Sequence, residues 1–241
     1  MTEVRQHQVV FPFPALQPPE PGRVDVWLMD LESLPMMVGA DQSQVSEPSS
    51  LIHARRDLRI RQQLYLRLLF GRYLGLPGKD VRMMKTAEGK PYLADHSLKI
   101  SLSHTRQWLA VGVSASGPIG IDIEMNRVIA RASAMAKRCY SEKEAAFIDS
   151  LDEPERSRLF LDRWIRTEAL VKAQGVTLAK SLSGIHFDLP ELSLHATPAD
   201  WPSADRWTLA PLQFSEGLIG AVASQEAISA IDCHHVSMGA S

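Results

Sequence analysis

The chain has 241 residues, a net charge of −2 and 45% hydrophobic residues. That length supports one large domain or two small lobes with a hydrophobic core. The near-neutral charge excludes the class of nucleic-acid-binding proteins that depend on overall basicity. Two cysteines, Cys139 and Cys233, are too few for a disulfide framework. With no signal-peptide core and no long apolar run, we expect a cytoplasmic protein that binds neither nucleic acid nor membrane.

The first half opens with a proline-rich segment, residues 1–22, which we expect to be an extended lead-in. Residues 41–50 are polar, and Ser49 or Ser50 is suited to begin a helix. Apolar spacing and alternation predict a strand over 24–31, a long helix over 51–74, and short strands around residue 92 and over 98–103 and 108–113. A turn cluster at 114–118 marks the end of an N-terminal lobe over residues 23–115.

The second half repeats this order of elements. The predicted elements are a strand over 119–125, helices over 128–138, 142–151 and 155–174, and strands over 185–189, 192–196, 207–214 and 218–224. The repetition predicts an α+β fold of two similar lobes in a pseudo-twofold arrangement, each a small, mainly antiparallel sheet packed with a long helix. The C-terminal lobe covers residues 116–225, and the tail over 226–241 has no strong pattern.

Two acids stand two residues apart in the predicted strand over 119–125. Side chains with that spacing share a face, so Asp122 and Glu124 point the same way. Two adjacent carboxylates both stay ionised when a cation lies between them, and hard oxygen ligands suit magnesium. The alternative is a solvated strand edge with two exposed acids.

A second group lies on the predicted helix over 155–174. Glu168 and Lys172 are i,i+4 neighbours, and Trp164 lies one turn earlier on the same side. Apolar neighbours indicate that Glu168 is partly buried, where a carboxylate needs a cation or a chemical role. The alternative is a surface ion pair beside a core tryptophan.

Several basic and polar residues are suited to bind phosphate groups. Ser103 and His104 end a strand, and Lys90 lies on a tight turn. The helix over 51–74 carries six arginines against one acid, and a bound polyanion would relieve their repulsion. The alternatives are a satisfied surface histidine, a solvated turn lysine and a solvated helix face.

Together these residues resemble a known family. Gly-Lys-Pro at 89–91, Ser-Leu-Ser-His at 101–104, Gly-Ile-Asp-Ile-Glu at 120–124 and Trp-x-x-x-Glu-Ala-x-x-Lys at 164–172 follow one another in this chain. Their order and spacing are similar to those of the surfactin-synthetase-activating type of 4′-phosphopantetheinyl transferase. The resemblance runs from about residue 55 to 224 and implies a monomer with its active site between two lobes.

The resemblance also implies roles for individual residues. Asp122, Glu124 and Glu168 would be the magnesium carboxylates, with Glu168 also the general base, and Lys172 would be a catalytic residue that contacts the pyrophosphate. The residues implied at the coenzyme A phosphates and phosphoadenosine are Ser103, His104, Lys90 and Arg59. Two features depart from the family: Thr167 stands where lysine is frequent, and residues 41–48 lack the basic residues found there, so Arg55 or Arg56 would replace them.

The implied reaction moves the phosphopantetheine group of coenzyme A to a serine of an acyl, peptidyl or aryl carrier protein and releases 3′,5′-ADP. A basic stretch follows the predicted acids and would receive an acidic carrier; it contains Arg127, Arg131, Lys137 and Arg138. Two other functions stay open from the residues alone. One is a magnesium-dependent nucleotide phosphohydrolase, and the other is a non-enzymatic binder of coenzyme A or of a carrier protein.

Overall fold

The computed structural model describes residues 2–35, 51–94 and 98–238. Its first half contains β1 (Glu3–Phe11), β2 (Arg23–Asp30), α1 (Leu51–Leu74), β3 (Met83–Lys85), β4 (Pro91–Leu93), β5 (Lys99–Thr105) and β6 (Trp108–Ser114). Its second half contains β7 (Ile119–Met125), α2 (Ala132–Cys139), α3 (Glu142–Asp149), α4 (Glu155–Gln174), β8 (His186–Asp188), β9 (Ser193–Ala196), β10 (Thr208–Gln213), β11 (Leu218–Ser224) and β12 (Ala230–Met238). Ser49 and Ser50 lie outside the described residues.

The two halves share one topology. In the first half, β2 pairs antiparallel with β6, and β6 with β5, while β3 and β4 form a separate hairpin. In the second half, β7 pairs antiparallel with β11, and β11 with β10, while β8 and β9 form the hairpin. Each leading strand is followed by a long helix, α1 or α4. The predicted α+β fold of two similar lobes is confirmed.

The sheets pack against each other between the two long helices. Between α1 and the first sheet lies a core that includes Tyr65, Phe70 and Trp27. Between the two sheets lies a second core that includes Val26 and Ile121, and a third core lies between the second sheet and α4. Because β2 is buried on both faces, its sequence is a nearly continuous apolar run rather than a strict alternation.

The terminal segments differ from expectation. The sequence predicts an extended lead-in over residues 1–22 and a tail without a strong pattern over residues 226–241. Instead β1 and β12 pair in parallel, and β12 also pairs in parallel with β2, so both terminal strands extend the first sheet. The polar residues of β12 obscure the pattern of a half-buried strand, because buried Asp232 is bonded to His7 at 2.9 Å and forms a salt bridge with Arg23. The prediction of an unpatterned tail is therefore wrong for residues 230–238, which form β12. The lobe boundary between residues 115 and 116 stays a prediction.

The helices lie close to their predicted positions. α1 and α4 have the predicted bounds, and α4 ends at Gly175, whose φ of 80° is the left-handed conformation that glycine adopts readily. α2 begins at Ala132, four residues later than predicted, and α3 begins with a capping box between Ser141 and Glu144. None of the helices in the described ranges combines the length and apolarity that a bilayer-spanning helix requires.

Strand β7 and helix α4 approach each other closely at Gly120. A Cβ atom added there would lie 1.9 Å from the carbonyl oxygen of Ala169 and 2.5 Å from the backbone nitrogen of Ala173. The backbones of β7 and α4 are therefore in direct contact, which only glycine permits. This contact brings the acids of β7 beside those of α4.

We predict that Gly120→Ala destabilises the protein, because the added methyl group meets backbone atoms that cannot rotate away. The expected loss is about 2–3 kcal/mol of unfolding free energy, measured by urea denaturation. Gly112→Ala on β6 is the matched control, since its nearest new contact is the mobile Cδ1 of Ile119 at 3.0 Å. Equal stability of the two variants would contradict the backbone contact.

Candidate active site

Strands β5 and β7 lie side by side and are joined through serine side chains. The Ser101 hydroxyl accepts the backbone N–H of Ile121 at 3.0 Å. The Ser103 hydroxyl accepts the N–H of Ile123 at 3.2 Å and donates to Oδ1 of Asp122 at 2.8 Å. These bonds satisfy the edge of β7 and fix one carboxylate oxygen of Asp122 in place.

The two acids of β7 lie on the face of the sheet that α4 covers. Ile121 and Ile123 are in the core between the sheets, so the side chains of Asp122 and Glu124 emerge on the opposite face. Asp122 is 6% exposed and Glu124 is half-buried, with the Thr105 hydroxyl donating to Glu124 Oε2 at 3.1 Å. Asp122 and Glu124 therefore share one face of β7, as their spacing predicts.

Lys172 lies at the C-terminal end of α4 and pairs with Asp122. Its Nζ is 2.7 Å from Asp122 Oδ1, the same oxygen that accepts the Ser103 hydroxyl. The pair is largely shielded from water, with side-chain exposures of 28% for Lys172 and 8% for Asp122. Because a buried carboxylate needs a partner charge, Lys172 neutralises Asp122 in this structure.

Glu168 lies one helical turn before Lys172. Burial raises the pKa of Glu168, the negative charges of Asp122 and Glu124 raise it further, and Lys172 opposes them. The three acids therefore influence one another across the β7–α4 contact. Among the described residues, however, no three acidic, histidine or cysteine side chains converge closely enough to hold one metal ion together. The three-carboxylate ligand set stays a prediction.

Ser103 and His104 were predicted to act as a pair, and the structure places them on different faces of β5. Ser103 is 4% exposed and faces β7, whereas His104 is exposed on the side of α1. His104 and Arg59 together line a pocket of about 440 Å³, whose full lining is Leu31, Arg55, Leu58, Arg59, Gln62, His104 and Arg106. The structure thus brings two of the predicted phosphate residues together and adds Arg106, which the sequence patterns did not single out.

Lys90 has contacts different from those expected of a ligand-binding lysine. Its Nζ donates to the carbonyl oxygens of Lys172 at 2.5 Å, Ile119 at 3.2 Å and Ala173 at 3.4 Å. Burial lowers the pKa of Lys90 to about 8. Because all three carbonyls lie at the β7–α4 contact, Lys90 ties the β3–β4 turn to the C-terminal end of α4.

A buried ion pair that the sequence patterns did not reveal supports the middle of α4. Arg163 and Glu144 are 0% and 2% exposed, with Nε and Oε1 3.0 Å apart. Arg163 also donates to the carbonyl oxygen of Ile185 at 2.7 Å and lies 3.9 Å above the ring of Tyr140. The Thr167 hydroxyl, fully buried, donates to the Arg163 carbonyl at 2.9 Å. Threonine at 167 therefore serves this network, and a lysine there would bury a second positive charge beside Arg163.

The basic stretch forms an exposed surface around α2. Arg127, Arg131, Lys137 and Arg138 are all exposed, although Lys137 pairs with Asp149 at 2.7 Å. Two apolar side chains, Val128 and Met135, are exposed among them at 61% and 38%. We call these six residues the α2 surface.

Comparison with known proteins identifies relatives. Residues 118–221 match the family model of the 4′-phosphopantetheinyl transferase superfamily. The chain is 30% identical to the 4′-phosphopantetheinyl transferase HetI of Nostoc sp. over 66% of each chain. It is 31% identical to the human L-aminoadipate-semialdehyde dehydrogenase-phosphopantetheinyl transferase over 55% of this chain and 47% of the human one. It is 29% identical to the 4′-phosphopantetheinyl transferase ffp of Bacillus subtilis over 46% of this chain and 49% of that one. The matches thus span about two thirds or less of the relatives' lengths.

We predict that Glu168→Gln raises the melting temperature in metal-free buffer at pH 7. A carboxyl whose pKa is raised by folding stabilises the folded state at low pH and loses that contribution as the pH rises through its folded pKa. Glutamine keeps the shape of glutamate without its charge. The difference in melting temperature between Glu168→Gln and wild type should therefore narrow as the pH falls toward 4.5, the ordinary pKa of glutamate.

The measurement is thermal unfolding across this pH range in the presence of a chelator. Glu191→Gln, at an exposed acid of the β8–β9 turn, is the control and should leave the melting temperature unchanged. A lower melting temperature for Glu168→Gln at pH 7 would show that ionised Glu168 is favourably paired.

Proposed function

The chain belongs to the 4′-phosphopantetheinyl transferase superfamily, and on that premise we propose that it transfers the phosphopantetheine group of coenzyme A to a serine of a carrier protein. The relatives named as such transferases support this activity for the chain. The observation that carries the proposal is the buried group at the β7–α4 contact, in which Asp122 is held by Ser103 and Lys172 beside Glu124 and Glu168.

The donor chemistry of this group fits a magnesium ion. Magnesium is commonly held by one or two carboxylates together with phosphate oxygens and water, so it does not require three converging protein ligands. Asp122 and Glu124 present such a pair on one strand face, and burial together with their negative charges raises the pKa of Glu168. We propose that Asp122 and Glu124 hold the ion, with Glu168 as a third ligand, and that the bound ion would neutralise the pyrophosphate of coenzyme A.

The protein's own residues would then handle protons and charge. The carrier serine hydroxyl attacks the β-phosphate of coenzyme A, a P–O bond forms, and the bond to 3′,5′-ADP breaks. Glu168, whose burial makes it a better proton acceptor than an ordinary glutamate, takes the hydroxyl proton. Lys172, placed at the same carboxylate group, is positioned to stabilise charge that develops on the leaving phosphate.

The remaining residues would position coenzyme A. Arg59 and His104 line the pocket beside α1 and supply charge for the phosphates of the adenosine end. Ser103 would act by orienting Asp122, and Lys90 by holding the end of α4 that carries Lys172, because both side chains are already bonded inside the protein. These two residues are thus proposed as positioning residues, whereas the family resemblance implied that Ser103 lies at the coenzyme A phosphates and Lys90 near the phosphoadenosine.

We predict that Asp122→Asn and Glu168→Gln each reduce transfer at least about 100-fold, because preorganised charge at a reacting phosphate is worth several kcal/mol. The measurement is mass spectrometry of a carrier protein incubated with coenzyme A and magnesium chloride, which detects the mass gain of one phosphopantetheine group. Glu191→Gln is the matched control and should retain full transfer.

The same experiment separates the other functions. A phosphohydrolase would release nucleotide without modifying the carrier, and a non-enzymatic binder would leave both unchanged. Transfer by the Asp122 variant at the wild-type rate would contradict the assignment of this site.

We further propose that the α2 surface docks the carrier protein. Exposed Val128 and Met135 among positive side chains suit a partner whose helix carries acidic and apolar residues. The surface begins directly after β7, so a docked carrier would present its serine to the proposed ion site. We also propose that the protein acts as a monomer in the cytoplasm. The two unpaired cysteines are compatible with that reducing compartment.

We predict that Arg131→Glu combined with Arg138→Glu raises the Michaelis constant for the carrier several-fold and leaves that for coenzyme A unchanged. Exposed charges act mainly on the encounter rate and are screened by salt, so the variant should also show a flatter dependence on ionic strength. Arg206→Glu, at an exposed site before β10, is the control. Identical salt dependence of wild type and variant would show that this surface does not dock the carrier.

A further inference from the structure

The turn between β5 and β6 carries an arginine where the backbone disfavours it. Thr105 and Trp108 are paired, so Arg106 and Gln107 form a two-residue turn. Arg106 has a φ of 52°, in the left-handed region, where two-residue turns favour glycine or asparagine because a larger side chain crowds the backbone. Of the described residues other than glycine, Leu192 is the one further example of a positive φ. Because this backbone conformation is unfavourable for arginine, its presence here points to a role for the Arg106 side chain.

The turn is held in a defined place at the mouth of a pocket. The backbone N–H of Leu31 donates to the carbonyl of Gln107 at 3.0 Å, which ties the turn to the end of β2. Arg106 lines the 440 Å³ pocket from the turn, His104 lines it from β5, and Arg59 lines it from α1. Three separate elements therefore direct basic side chains to one volume that is large enough for part of a small ligand.

The charged side chains that line this pocket are basic. Its ionisable lining residues are Arg55, Arg59, His104 and Arg106, and none of the lining residues within the described ranges is acidic. Neither Arg59 nor Arg106 forms a salt bridge with any residue in the described ranges. Three guanidinium groups repel one another, and an anion among them would remove that repulsion. A phosphate monoester suits the pocket well, because it carries nearly two negative charges and three acceptor oxygens that match the paired N–H donors of arginine.

We propose that Arg106 is a specificity-determining residue that binds the 3′-phosphate monoester of coenzyme A together with Arg59 and His104. This inference rests on the proposed function, in which coenzyme A is the donor substrate. A phosphodiester or pyrophosphate carries less charge per phosphorus than a monoester, so the cluster would favour the end of coenzyme A that bears the 3′-phosphate. Arg106 would thereby select coenzyme A over dephospho-coenzyme A, which lacks that group.

Arg106→Gly is the variant that isolates the side chain. Glycine adopts the left-handed conformation readily, so the variant should melt at the wild-type temperature or above it. The dissociation constant for adenosine 3′,5′-bisphosphate, measured by calorimetry, should rise about tenfold, as expected for the loss of one charge-assisted contact. The constant for dephospho-coenzyme A, whose only phosphates form a pyrophosphate, should change less than twofold. Gln107→Gly, at the neighbouring turn position, is the matched control and should alter neither constant.

The transfer assay tests the same point with the whole substrates. Wild type should prefer coenzyme A over dephospho-coenzyme A in kcat/KM, and Arg106→Gly should lose about tenfold of that preference, mainly through the Michaelis constant. An unchanged preference in Arg106→Gly, or a wild type that binds adenosine 3′,5′-bisphosphate no more tightly than dephospho-coenzyme A, would overturn the inference. Discrimination in binding without any transfer to a carrier would instead overturn the proposed function and leave the phosphate pocket standing.

Discussion

The contact between the backbones of β7 and α4 at Gly120 is the constraint on which the rest of the site depends. A side chain at this position would separate the strand from the helix, and Asp122 could then not reach Lys172 at 2.7 Å. Lys90 reinforces the contact from outside, because its ammonium group bonds to carbonyls of both elements. The site is therefore built on rigid backbone, as the positioning of charge at a reacting phosphate requires.

Each deeply buried charge near this contact has a specific partner. Asp122 is neutralised by Lys172, and Glu144 by Arg163, which also bonds to a backbone carbonyl. Loss of one member of such a pair leaves an uncompensated buried charge, so the pairs fix the geometry of α4. Glu168 differs, because burial and then the negative charges of Asp122 and Glu124 raise its pKa, against the opposing effect of Lys172. A proton or a cation at Glu168 would therefore relieve the unfavourable burial of its negative charge.

Strand β5 separates the two chemical tasks that we propose. Its buried serines face β7 and hold the carboxylate group, while His104 faces α1 and the arginine-lined pocket. The alternation of side chains along one strand thus divides an acidic site from a basic one over a few residues. This division explains why Ser103 and His104, adjacent in sequence, have different surroundings.

Much of this protein was determined by local sequence. Helical spacing placed α1 and α4, and the spacing of Asp122 and Glu124 predicted their shared face, because these patterns depend on neighbours within one element. Only the tertiary structure decided the pairing of β1 with β12, since the partners of that ladder lie more than 200 residues apart, as the 225-residue separation of His7 and Asp232 shows. The same holds for Lys90 and for Arg106: the backbone carbonyls that bind the first, and the pocket that the second lines, exist only when distant segments meet.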